Sequence, residues 1–168
     1  MIETIYYKSP LGDICIVTNG EAIAGLSFVN KQGHMVEEES NPCDEPGSTI
    51  IKKCSSQLDE YFAGTRTIFD LNLLQPGTDF QQAVWAGLQN IGYGKTLSYL
   101  AFSKQPGNTK AIRAVGTANG KNNIAIVVPC HQVIGSNGTL VGYGGDLWRK
   151  KWLLEHEAKH ANGVQMLF

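Results

Sequence analysis

One stretch of the chain carries residues that could do covalent chemistry: Val127-Val128-Pro129-Cys130-His131-Gln132-Val133. A cysteine is a useful nucleophile only as the thiolate, which an adjacent imidazole promotes by taking the proton, directly or through water. Cys130 is therefore the candidate nucleophile and His131 the candidate base. The aliphatic run from Ile124 predicts a continuous buried strand through Val128, and Pro129 ends its ladder. Cys130 is then expected to leave the strand and stand exposed at a pocket. Adjacent residues of a straight strand point to opposite faces, so the pair can cooperate only if the chain bends there. By the logic of catalytic triads, an acidic residue from elsewhere must orient the imidazole. Spacing alone leaves a second reading open, in which Cys130 and His131 are two unrelated buried side chains.

The elements that must position this stretch fall into two predicted domains, residues 1–76 and 77–168. In the first, Ile5-Tyr6-Tyr7, Ile14 to Thr18 and Ala22 to Phe28, separated by turns at Pro10 to Asp13 and at Asn19-Gly20, read as a β-meander. After an acidic loop from Glu37 to Gly47, Ile50, Ile51, Cys54, Leu58, Tyr61 and Phe62 recur at helical spacing, with Gly64 placed as a C-cap. The second domain opens on a capping-box signature, Thr78-Asp79-Phe80-Gln81, before an amphipathic run of about three turns. Ser98 can cap a short helix through Lys104, Pro106-Gly107 turns the chain, and Asn108 can cap a helix ending near Gly120, which together resemble helix-turn-helix geometry. Val133 to Tyr143 is predicted as a hairpin turning at Asn137-Gly138, and Asp146 to Ala158 as a final helix. The fold class expected is an α/β sheet-and-helix domain followed by a mostly α winged-helix domain.

Charge separates the halves. Residues 1–78 hold 5 Lys/Arg against 11 Asp/Glu, net −6, and residues 79–168 hold 9 against 4, net +5; together they make the overall −1. Only the second half has the balance of a nucleic-acid-binding surface. No stretch approaches the roughly 20 apolar residues that span a bilayer, and the N-terminus lacks the basic run and apolar segment of a signal peptide, so the expected location is cytoplasmic. Cys15, Cys43, Cys54 and Cys130 show no CxxC or CxxxC spacing, which argues against a zinc knuckle or a thioredoxin-type pair. In a reducing compartment they are expected to be free thiols.

Pro129-Cys130-His131, Asn122 eight residues before the cysteine, Gly142-Tyr143-Gly144-Gly145 after it and Trp152-Leu153-Leu154-Glu155-His156-Glu157 together resemble the O6-alkylguanine-DNA alkyltransferase family. The match covers about Phe80 to Glu157 strongly, and the N-terminal domain matches the family's RNase H-like unit in outline. The resemblance implies repair of O6-alkylguanine, and of O4-alkylthymine, in double-stranded DNA, by stoichiometric and irreversible transfer of the alkyl group to Cys130 after the nucleotide is flipped out through the minor groove. It implies that His131 is a water-mediated base, Glu157 the carboxylate that orients it, Asn122 a hinge between the DNA-binding helix and the site, and Tyr99 a helper in rotating the nucleotide. Arg113 corresponds to the finger that fills the vacated stack, Ala111, Ala114 and Asn119 to the DNA-binding helix, and Tyr143, Val133, Gly144 and Asn119 to the base pocket. It also implies a monomer, with largely sequence-independent DNA binding and no cofactor; the N-terminal zinc site of some members has no counterpart in Cys15, His34, Cys43 and Cys54.

Physical chemistry makes these roles coherent. Extracting a paired base costs a few kcal/mol, offset by an inserted side chain and pocket contacts. The small and apolar Ala111, Ile112, Ala114, Val115 and Ala118 let their helix approach a groove closely while Arg113 projects. Minor-groove readout is degenerate, which suits a repair protein that must act anywhere. Two departures from the family pattern bear on the site: Gln132 stands where arginine is common, and Gly144 where some members have serine. The cluster Arg149-Lys150-Lys151 fits either phosphate contact or a solvated helix face. Competing classes are a lesion binder that transfers nothing, against which Cys130 speaks, and a Cys-His hydrolase or acyltransferase, which would have no use for Arg113 or the basic half.

Overall fold

In the computed structural model, residues 2–29, 48–104, 112–140, 143 and 146–162 are described, and the chain divides into two units, Met1–Gln75 and Pro76–Phe168. The acidic loop of residues 37–47, the Pro106-Gly107 turn, the Asn108 cap, Ala111 and Gly144 lie outside the described residues.

The first unit is an antiparallel meander, β1 (Glu3–Ser9), β2 (Gly12–Thr18) and β3 (Ile23–Phe28), covered by α1 (Thr49–Ala63). Alternation along β2 puts Ile14, Ile16 and Thr18 on the buried face. A register shift at Val17/Thr18 resets the phase of β3, so Ile23, Leu26 and Phe28 are its buried residues. α1 closes this face with Ile50, Ile51, Cys54, Leu58 and Tyr61, and ends at Gly64, whose φ of 83° is the left-handed C-cap geometry.

In the second unit, α2 (Asp79–Gln89) begins with the full capping box: Thr78 Oγ1 accepts from Gln81 N at 3.1 Å, and Gln81 Oε1 accepts from Thr78 N at 2.9 Å. It buries Val84, Trp85 and Leu88, and the Trp85 indole N–H donates to Ala118 O at 3.0 Å. That bond satisfies a carbonyl at the end of a second helix and fixes the two against each other. β4 (Leu97–Ser98) leads into α3 (Tyr99–Ser103), capped by Ser98 Oγ, and α4 (Ile112–Gly120) follows. β5 (Val133–Ile134) pairs parallel with β4, and α5 (Leu147–Asn162) completes the unit. No described helix is long and apolar enough to cross a membrane.

Two expectations are corrected, one of them in part. Ile124 to Val128 is buried at its alternate residues, but it is a turn-rich loop and not a strand. The reason is Asn122, whose Nδ2 donates to Val128 O at 2.9 Å and whose Oδ1 accepts from Ile124 N at 3.2 Å, while Val128 N returns to Ile124 O at 3.0 Å. These bonds close the segment on itself as a turn, with Ile124 in an isolated bridge and not in a ladder. Ile126 is held at φ 69°, an unusual conformation for a β-branched residue. The expected hairpin is met in part: the Asn137-Gly138 turn forms, with Gly135 N bonded to Thr139 O at 2.8 Å, Thr139 and Leu140 are not strand, and residues 141–142 lie outside the described residues. The arm before the turn, β5, pairs with β4 instead.

Candidate active site

The bend required at Cys130 is made by two tight turns in succession. Pro129, at φ −82° and ψ 66°, centres an inverse γ-turn in which Cys130 N donates to Val128 O at 2.8 Å. Cys130 to Gln132 then form one 3₁₀ turn, closed by Gln132 N to Pro129 O at 3.0 Å. Successive side chains of such a turn are about 120° apart and not opposed, which frees His131 to meet α5. The expected exposure of Cys130 is overturned: the residue is 7% exposed, because the turn folds it into the unit and does not project it. Among the described cysteines, Cys15, Cys54 and Cys130 are thiols outside any disulfide. Burial pushes the Cys54 thiol up to about 12, which leaves it inert.

His131 is fully buried, and its Nε2 lies 2.6 Å from Oε2 of Glu157, itself 3% exposed. An ionised carboxylate only accepts, so it assigns the proton of neutral His131 to Nε2 and leaves Nδ1 with its lone pair. Among the described residues Nδ1 has no hydrogen-bond partner. A group at Nδ1 can therefore hand over a proton while Glu157 holds the imidazolium that results. The other carboxylate oxygen, Oε1, accepts from Gln132 Nε2 at 2.9 Å, and the same Nε2 reaches Gly92 O at 2.8 Å.

Asn119 faces inward, 5% exposed, and not along the outer face of α4. Its Nδ2 donates to the Tyr99 hydroxyl at 3.2 Å and approaches Cys130 O at 3.5 Å. Tyr99 accepts that bond, so its own O–H remains available as a donor. Burial first, and the charge of a Cys130 thiolate in addition, raise the Tyr99 hydroxyl above its ordinary range, against a lowering from the Asn119 bond. The buried Tyr143 hydroxyl is raised further by the same burial, with Cys130 and Glu157 adding to it. Both phenols therefore stay protonated at neutral pH. Val133 is buried in β5 directly after the turn.

The structure thus gathers two hydrogen-bonded sets at one turn, the His131–Glu157 pair and the Asn119 amide that bridges Tyr99 and the Cys130 carbonyl, joined by the peptide link from Cys130 to His131, and it sets Tyr143 within electrostatic reach of Cys130 and Glu157. Asn122 acts one step away, through Val128 O, two residues before the cysteine. Arg113 and Ala114 belong to neither set: Arg113 is exposed on α4 and Ala114 half-buried, while Val115, Ala118 and Asn119 form the inner face. The solvated or phosphate-facing reading of Arg149 and Lys150 is also overturned, since they are 5% and 0% exposed. Arg149 pairs with Asp146 at 3.4 Å and stacks on Trp148, and Lys150 Nζ donates to Val133 O at 2.6 Å. Lys150 thus stands on the buried side of α5 beside the turn that carries Cys130. Seven residues, or two helical turns, separate it from Glu157 on one face, with the buried Leu153 and Leu154 between them.

A helical domain holding a buried cysteine beside a histidine–carboxylate pair, preceded by a separate sheet domain, fits the class of proteins that act through one cysteine. Comparison with known proteins makes this particular. The 6-O-methylguanine DNA methyltransferase DNA binding domain matches residues 79–159, and the ribonuclease-like domain of the same family matches residues 2–75. The methylated-DNA–protein-cysteine methyltransferase of Mycobacterium bovis is 42% identical over 167 residues, 98% of this chain and 99% of the relative. The constitutive methylated-DNA–protein-cysteine methyltransferase of Bacillus subtilis is 40% identical over 138 residues, 82% of this chain and 84% of the relative. A crystal structure of Mycobacterium tuberculosis OGT in complex with DNA superimposes with a TM-score of 0.82 at 42% identity, covering 94% of this chain and 93% of that one. The chain belongs to the 6-O-methylguanine DNA methyltransferase family.

Proposed function

We propose that this protein repairs DNA by moving the methyl group of O6-methylguanine, and larger alkyl groups at that position or at O4 of thymine, onto Cys130, once per molecule. The observation that carries the reading is the buried 2.6 Å contact between His131 and Glu157, with His131 adjacent in sequence to the only cysteine of the second unit. Cys130 gives its proton to His131 Nδ1 through water, and Glu157 stabilises the imidazolium. The thiolate attacks the saturated alkyl carbon, a C–S bond forms, and the C–O bond breaks with its electron pair passing to the base. Tyr99 or Tyr143, both held protonated, supplies a hydrogen bond or proton to the leaving guanine. The product is a thioether with no carbonyl for water to attack, so the cysteine is not regenerated.

The DNA partner follows from the same domain. Arg113 and Ala114 on α4 fit a helix that enters the minor groove, with Arg113 taking the place of a flipped nucleotide and no need for sequence readout. Asn119, turned inward, serves the base pocket with Tyr143 and Val133 in this reading. The chain acts as a monomer, residues 77–168 carry the chemistry, and residues 1–76 support them.

The test is to incubate the protein with duplex DNA bearing O6-methylguanine and measure the intact mass. One added methyl group per chain, mapped to Cys130 and absent from Cys130→Ala, is the expected result. Repeated turnover would overturn the stoichiometric step, and tight binding without an adduct would leave a lesion-binding protein.

A further inference from the structure

We propose that Gln132 is a positioning residue of this site: its one amide group fastens Glu157 to the turn after α2 and so holds the second carboxylate oxygen against His131. The inference rests on the alkyl-transfer reading above and adds to it a residue whose type departs from the arginine that the family resemblance leads one to expect.

The geometry is specific. Gln132 is 2% exposed, and its Nε2 is 2.8 Å from Gly92 O and 2.9 Å from Glu157 Oε1. A carbonyl and a carboxylate both only accept, so the two amide hydrogens are each committed and the amide cannot be reversed without facing oxygen to oxygen. The terminal torsion of a glutamate is broad and roughly two-fold, so a bond to one oxygen helps to fix where the other lies. With Oε1 tethered, Oε2 is left at 2.6 Å from His131 Nε2. The turn that anchors Gln132 is itself seated on α5. Gly94, at φ +73°, lies so close that an added Cβ would come within 2.4 Å of Ala161 Cβ and 3.3 Å of the Glu157 carbonyl oxygen. Burial and then the charge of Glu157 raise the hydroxyl of Tyr93, in the same turn, to about 12. A neutral donor also leaves the carboxylate's charge whole, where a guanidinium in that place would offset it. The full negative charge then acts on the imidazolium.

The experiment compares the unsubstituted chain with Gln132→Met, which keeps the length and removes both hydrogen bonds, and Gln132→Arg, which keeps a donor. Two rates are read: methyl transfer from O6-methylguanine DNA, and alkylation of Cys130 by iodoacetamide as a function of pH, followed by peptide mass. The expected result is a loss of about ten- to hundredfold in transfer for Gln132→Met, the usual size for removing a partner that orients a reactive group. Its iodoacetamide profile should move up by about half a pH unit or more, because a slack carboxylate supports the imidazolium–thiolate pair less well. Gln132→Arg should recover at least about tenfold of the transfer lost in Gln132→Met. Transfer in Gln132→Met within about threefold of the unsubstituted chain, or a loss with no movement of the profile, overturns the positioning role, as does an equal loss in both variants. Failure of the unsubstituted chain to accept a methyl group from DNA would refute the alkyl-transfer reading instead, and the iodoacetamide profiles would still decide the role of Gln132.

Discussion

Replacing Glu157 by glutamine changes one oxygen to nitrogen and almost nothing in volume, yet the network around it leaves the new amide a single comfortable orientation. Gln132 Nε2 donates towards position 157 and is committed to Gly92 O as well. The oxygen of the introduced amide must therefore take the Gln132 bond, which turns its NH₂ group towards His131 Nε2. To avoid two opposed donors His131 must accept there and move its proton to Nδ1, the nitrogen that has to be free to receive one from Cys130. The charge is lost as well: two unit charges about 4 Å apart at an effective dielectric of about 20 interact by about 4 kcal/mol, or about a thousandfold in rate. Methyl transfer by Glu157→Gln should accordingly fall by about a thousandfold, measured by quenching single-turnover reactions with O6-methylguanine DNA and weighing the intact protein. A thermal melt should show the variant folded at the assay temperature. A folded Glu157→Gln protein that transfers within about tenfold of the unsubstituted rate would refute the claim that the carboxylate sets the histidine's proton and stabilises its charge.

Three further outcomes are expected. Arg113→Ala should slow transfer from duplex DNA far more than transfer from free O6-methylguanine base, since the side chain is exposed on α4 and outside both hydrogen-bonded sets; equal losses on the two substrates would remove it from base extrusion. Asn122→Ala leaves Val128 O without its 2.9 Å donor and Ile124 N without its 3.2 Å acceptor, in a loop that carries the φ 69° residue Ile126, and should cost about 1–3 kcal/mol of stability by denaturant titration. An unchanged midpoint and slope would show that the loop holds its shape without the asparagine. Burial lowers the Lys150 ammonium from 10.5 to about 8, against an opposing pull from a Cys130 thiolate. Between those values the unfolded chain binds the proton more tightly than the folded one, so the penalty for burying the charge is fully present below about pH 8 and relieved as pH rises towards 10.5. The stability of the unsubstituted chain relative to Lys150→Met should therefore rise across that window, by up to about 3 kcal/mol; a difference that is constant with pH would contradict it.

Much of this molecule is legible from the sequence because the forces concerned are local. The Thr78–Gln81 capping box, the Gly64 cap, the alternation of β2 and the spacing of α1 each depend on residues within a few positions, and each forms. The adjacency of Cys130 and His131 and the charge difference between the halves are likewise properties of the chain alone. Tertiary structure decided the rest. An apolar run such as Ile124 to Val128 is equally well buried as a strand or a loop, and the choice fell to one side chain, Asn122, that satisfies the backbone in place of a neighbouring strand. Whether Cys130 is exposed or buried depended on two consecutive tight turns after Val128. Arg149 and Lys150 are buried with Asp146 and the Val133 carbonyl as partners, and Arg149 lies under the exposed Trp148 ring, none of which charge counting sees. Glu157 reaches His131 across 26 residues of sequence, and Gln132 reaches Gly92 across 40, only because α5 and the turn after α2 pack on the same 3₁₀ turn. The sequence by itself determined which group could attack and which could take its proton. Only the packed fold decided how His131 is held, since that depends on hydrogen bonds of fixed length between residues far apart in the chain.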